Sequence, residues 1–109
     1  MKVYHATTQE AARKILSDGF RDVTGTYLTM NEYTGVWISN WPMNDGDMMG
    51  RMEAWFEIDI DEKLLANYEW IEDGKPYREW LVSADVLNKS GTTREITEDE
   101  ADDIIHNIP

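Results

Sequence analysis

Residues 53–60, EAWFEIDI, constrain the fold of this chain more than any other segment. Ala54, Phe56, Ile58 and Ile60 alternate with Glu53, Trp55, Glu57 and Asp59. That period of two is the mark of a strand, whose successive side chains point to opposite faces. The apolar set reads as the buried face and the other set as mostly wet. A domain built around such a strand needs further strands beside it and helices to cover its apolar side.

Those elements can be read on both sides of it. Residues 2–6 (KVYHA) form a short strand with Val3 and His5 on one face and Tyr4 and Ala6 on the other. Thr7, with Glu10 three positions on, makes a T-x-x-E capping box that starts a helix over 8–18. Ala11, Ala12, Ile15 and Leu16 are its apolar stripe, Gly19 ends it, and Phe20 returns to the core. Residues 21–34 read as a polar loop with a short strand at 26–29, and 35–39 (GVWIS) as a strand. Residues 40–50 (NWPMNDGDMMG) carry Pro42, Gly46, Gly50, Met43, Met48 and Met49 and read as a long loop of the kind that forms a flap.

After residue 60, Asp61 caps a single helical turn through Leu64 and Leu65. Strands at 68–72 and 77–82 flank an Asp73-Gly74 turn, and 83–88 is a turn able to wrap into one helical turn. A last strand spans 92–96. Thr97 and Glu100 then form a second capping box, opening a short terminal helix with Ile104, Ile105 and Ile108 inward. One early helix, five or six strands and a short final helix describe a single α+β domain over 1–109, with a mainly antiparallel sheet.

Composition sets the boundaries of function. The 109 residues include five Trp, five Tyr and two Phe, enough large apolar surface for one core. No stretch approaches 18 consecutive apolar residues, and the N-terminal segment lacks the apolar run of a signal peptide. The expected location is cytoplasmic, without membrane contact. The absence of cysteine excludes disulfides, thiolate metal sites and a thiol nucleophile. Ten basic against 22 acidic side chains give a net charge of −12, which repels phosphate backbones and suits a basic protein partner. Direct nucleic-acid binding through a basic surface is therefore excluded. The densest acidic run, 98–103 (EDEADD), reads as a solvated helix face. His5 and His106 are far apart, and 44–47 (NDGD) reads as a turn rather than a calcium loop, so no metal is expected.

Three segments, in order, carry the chemistry: Tyr4-His5-Ala6-Thr7 opening a helix, then Gly35-Val36-Trp37-Ile38-Ser39, then Tyr77-Arg78-Glu79-Trp80-Leu81-Val82. Together they resemble the ADP-ribosyltransferase fold in its His-Tyr-Glu branch, that of the poly(ADP-ribose) polymerases and diphtheria-like toxins. The resemblance spans about residues 3–88, and 11–20 (AARKILSDGF) looks like the branch's first helix and its exit. It implies a split, mainly antiparallel sheet. It also implies NAD as substrate, with no metal, and transfer of ADP-ribose to an acceptor. The roles it implies place His5 and Glu79 in catalysis and His5, Ala6, Thr7, Trp37 and Tyr27 around the nucleotide. His5 would bond a ribose hydroxyl, with Thr7 supporting the same ribose. An aromatic ring on the middle strand would stack on nicotinamide. Glu79 would hold the nicotinamide ribose and stabilise charge as the glycosidic bond breaks. Ala6 stands where the branch has Gly, and Trp37 where it has Tyr, with Tyr27 or Tyr33 as alternative rings.

Plainer readings stand beside these. His5 is then a hydrogen-bonded structural residue, Trp37 a core residue, and Glu79 the partner of Lys75 or an arginine. Arg78 alternates to the opposite strand face from Glu79 and so does not clamp a phosphate at the same site. The alternative functions are a non-catalytic acidic binder, such as a phage or mobile-element inhibitor imitating nucleic acid, and an inactive member of the fold. An RNA 2′-phosphotransferase activity fits poorly, because basic residues to hold an RNA phosphate are missing.

Overall fold

The computed structural model describes residues 1–26, 32–43, 45–46 and 50–107. Its strands are β1 (Lys2–Thr7), β2 (Val23–Thr26), β3 (Glu32–Ser39), β4 (Asp45–Gly46), β5 (Gly50–Arg51), β6 (Ala54–Asp59), β7 (Glu69–Trp70), β8 (Glu79–Val82) and β9 (Thr92–Ile96). Its helices are α1 (Gln9–Asp18), α2 (Glu62–Leu65), α3 (Ala84–Ser90) and α4 (Glu98–His106), with a 3-10 turn at Ala66–Tyr68. The fold is α+β: α2 is the single turn expected after Asp61, and α3 runs for two turns where a turn, or at most one helical turn, was expected at 83–88.

Every pairing is antiparallel. The main sheet runs β7-β8-β3-β1-β6-β9, with β2 on β3, and β4 and β5 form a separate hairpin. β1 matches β6 at six positions, from Lys2↔Asp59 to Thr7↔Ala54, but meets β3 at one, Tyr4↔Ser39. The sheet therefore forks beyond that point.

Helices cover both faces. On one, Val3, Val36, Ile38, Phe56, Ile58, Trp80 and Val82 pack with Ala12 of α1, Leu65 of α2 and Leu87 of α3. On the other, Tyr4, Met52, Trp55 and Ile96 pack with Ala101 of α4, joined by Ala6 and Ile104. This overturns the wet reading for Trp55 and Glu57, while Glu53 and Asp59 are exposed as expected. Trp55 and Glu57 are buried along with Ala54, Phe56 and Ile58, because α4 lies on the face expected to meet water. Glu57 tolerates this through Arg94 at 3.1 Å and Lys2 at 3.7 Å.

The first cap also lies elsewhere. Thr8, not Thr7, caps α1, its hydroxyl accepting from the Ala11 N–H at 3.2 Å. Thr7 is the last residue of β1, and its carbonyl accepts from the Glu53 N–H, extending the ladder with β6. Glu10 instead lies 3.8 Å from Lys14, one helical turn on. The second capping box forms as expected, with Thr97 and Glu100 satisfying each other's backbone N–H.

α1 ends at Gly19, whose φ of +83° suits a residue without Cβ. There the Asn88 amide of α3 grips Phe20 at both ends, accepting from its N–H and donating to its carbonyl, each at 2.9 Å. β2 spans Val23–Thr26 and overlaps the strand expected at 26–29 at Thr26 alone. Residues 27–29, most of that expected strand, lie outside the described residues, as do Met48 and Met49 of the expected flap and Ile108.

Candidate functional site

The register of the sheet decides which candidate side chains share a face, because residues directly opposite in an antiparallel pair project to the same side. One row crosses six strands: Arg94↔Glu57↔Tyr4↔Ser39↔Glu79↔Trp70. Trp37, opposite Leu81, lies on the same face two residues along β3, diagonal to Glu79. Continuing the Tyr4↔Ser39 register sets Ala6 across the fork from Trp37. Ala6, Trp37 and Glu79 thus share one face.

His5 and Thr7 project to the other. His5 stands opposite Phe56. Its ring meets the edge of Phe20 at 5.6 Å, and Phe20 in turn meets Phe56 at 6.0 Å. Its Nδ1 lies 2.8 Å from the Trp37 carbonyl oxygen. A carbonyl only accepts, so Nδ1 carries the proton. Enclosure lowers the His5 pKa, opposed by this bond, and leaves the imidazole neutral near pH 7. The structure does not bring His5 and Glu79 into one cleft; the thickness of the sheet separates them. Thr7 is buried on the His5 side, and Ala6 packs beside Tyr4 and Trp55. Tyr27 lies outside the described residues.

The Glu79 face is aromatic. Trp70 meets Tyr33 edge-on at 4.8 Å and Trp37 edge-on at 5.3 Å. The Trp70 Nε1–H donates to Glu72 at 2.9 Å. The Lys75 ammonium sits 3.1 Å from Glu72 and 2.8 Å from Glu79, and 5.4 Å from the centre of the Tyr77 ring. Tyr77 lies against Trp41. The Lys75 partner weighed for Glu79 from sequence is thus present. Tyr33, Trp37, Trp70, Glu79 and Leu81 are all half-buried.

Gly35 brings β3 close to β8: a Cβ there would stand 2.9 Å from the Val82 carbonyl oxygen, and its φ of +151° is one that other residues rarely adopt. Arg78 turns away as alternation required. Its guanidinium stacks on Trp80 at 4.9 Å and forks onto Glu69 at 2.8 and 3.0 Å, holding that carboxyl below its ordinary range.

Tyr4 and Ser39 were not among the sequence candidates, yet both stand in the Glu79 row. Tyr4 is covered by α4, and its hydroxyl reaches Glu57 at 3.5 Å. Burial, with Glu57 beside it, raises its pKa. The Ser39 hydroxyl donates to the Trp41 carbonyl at 2.6 Å. The signal was the alternation in 2–6, which sets Tyr4 and Ala6 against Val3 and His5. No cluster of three or more metal-binding side chains occurs among the described residues.

Comparison with protein families, with curated proteins and with solved structures returns no match.

Proposed function

We propose that the face bearing Trp37 and Glu79 binds the nicotinamide–ribose part of NAD or a related nucleotide, in an ADP-ribosyltransferase-like domain. The observation that supports this reading is the diagonal placement of Trp37 and Glu79 on one face of adjacent strands. An indole stacks on a flat heteroaromatic ring, and more strongly when that ring is a pyridinium cation. A carboxylate one diagonal away accepts hydrogen bonds from ribose hydroxyls. It also stabilises positive charge at the anomeric carbon as the nicotinamide–ribose bond breaks. The bonding pair leaves with nicotinamide, and an acceptor nucleophile forms the new bond to that carbon. Lys75 is the cation at hand for a phosphate, at the cost of releasing Glu72 and Glu79.

Thermal-shift and calorimetric titrations with NAD and with ADP-ribose test this. The expected result is a concentration-dependent rise in Tm with NAD that Trp37→Leu removes. At one hundred times Kd the linkage is worth about 2.7 kcal/mol. Nicotinamide release should fall to background in Glu79→Gln. No shift at millimolar NAD overturns the reading. The net charge of −12 favours the second reading, an acidic binder of a basic protein. Its signature is salt-sensitive association indifferent to Glu79→Gln.

A further inference from the structure

We infer that His5 is a positioning residue: from the reverse side of the sheet its imidazole fixes the backbone of Trp37, and so the indole on the face carrying Glu79. β1 and β3 share a single register pair, Tyr4↔Ser39, so that ladder stops short of Trp37, which pairs with Leu81 of β8 on its other side. A partly buried carbonyl gains from a well-placed donor. His5 supplies the donor, its Nδ1–H reaching the Trp37 carbonyl at 2.8 Å.

The imidazole is itself held. His5 is paired with Phe56 across β1 and β6, and the edge of Phe20 meets its ring. Phe20 is clamped at N–H and carbonyl by Asn88 of α3. The exit of α1, α3 and β1 therefore converge on one hydrogen bond to the Trp37 peptide. That peptide sets the direction of the Trp37 Cα–Cβ bond on the opposite face, where the ring meets Trp70. His5 acts on a ligand through Trp37 without touching it.

The nitrogen-15 signals of the full chain test this without ligand. In wild type, the His5 imidazole should be the neutral Nδ1–H tautomer at pH 7.5; the Nε2–H tautomer would overturn the inference. The Trp37 indole N–H, assigned with Trp37→Phe, should move or broaden in His5→Leu. It should return to its wild-type position in His5→Asn, whose side-chain N–H stands where Nδ1 does. The buried Trp80 indole serves as the control for global change. A Trp37 signal unmoved in His5→Leu, or moved equally in both variants, overturns the inference. If His5→Leu does not fold, the wild-type tautomer and His5→Asn decide alone.

A second arm rests on the nucleotide reading. His5→Leu should weaken NAD binding about tenfold, the order of one well-placed hydrogen bond, while His5→Asn keeps it within threefold. Equal affinity in wild type and His5→Leu would remove the functional role of His5. Failure of the wild type to bind NAD overturns the nucleotide reading only, and the spectroscopic arm still decides His5.

Discussion

Replacing Glu79 by Gln and Lys75 by Met, singly and together, tests the polar heart of the aromatic face. The Lys75 ammonium stands 2.8 Å from Glu79 and 3.1 Å from Glu72, with Lys75 and Glu79 each about four-fifths buried. At an effective dielectric near 20, a pair at that distance attracts by about 6 kcal/mol. Desolvation of both groups cancels most of it. What remains is the net value of a charge-assisted hydrogen bond, about 1.5–3 kcal/mol. Glu79→Gln keeps the shape and one acceptor, and Lys75 keeps Glu72, so the loss is about 1 kcal/mol. Lys75→Met is worse, about 2 kcal/mol, because Glu72 and Glu79 then share a partly buried site without a counter-ion. The double variant should be no less stable than Lys75→Met, a coupling of about 1 kcal/mol. Urea unfolding followed by tryptophan fluorescence reads these values, and each kcal/mol corresponds to a Tm shift of about 4–8 °C in a domain of this size. Coupling below about 0.3 kcal/mol, the range of independent sites, would show that the pair is a solvated surface contact and that the face is not preorganised.

Three further outcomes follow from the same structure. The His5 pKa is depressed on folding, so the unfolded chain binds more protons just below its ordinary value of about 6.5. The stability His5 contributes is complete above that pH and is lost as pH falls toward the folded value; urea midpoints from pH 7.5 to 5.5 should show a decline that His5→Asn removes. Thr8→Ala should cost about 1 kcal/mol through the lost cap on α1, and Thr7→Val clearly less; the reverse order in thermal melts would return the cap to Thr7. Asn88→Leu should cost about 2 kcal/mol by releasing both ends of Phe20, and an unchanged Tm would show that the clamp is unimportant.

The elements were legible where local chemistry sets them. The alternation around Phe56 and the Thr97 and Glu100 capping box each announce themselves within eight residues. The pairing of faces was not. His5 and Glu79 look like partners in order along the chain, yet their sides are set by the Tyr4↔Ser39 and Ser39↔Glu79 registers between distant strands. A shift of one residue in either would exchange the faces. Thr7 and Thr8 show the same limit at short range, since both suit a cap. The choice fell to Thr8 because the Thr7 carbonyl is taken by Glu53. On the face expected to be wet, Glu53 and Asp59 are exposed, but Trp55 and Glu57 are not, because a helix forty residues downstream covers them, and no local window contains that information.

The fork divides the sheet into two units of unequal connectivity. β1, β6 and β9 are zipped together at every position from Lys2↔Asp59 onward, whereas the backbone ladder reaches β3, β8 and β7 through one register pair, and the rest of the join is the His5 bond and the shared apolar core. Backbone amides in the second unit can exchange with solvent through partial openings that leave the first intact. Amide exchange should therefore fall into two tiers, with Val3, Phe56 and Ile58 in the slow one and Trp37, Ile38 and Leu81 in the faster. The half of the molecule that carries Trp37 and Glu79 is then the half able to rearrange around an arriving molecule without unfolding the rest.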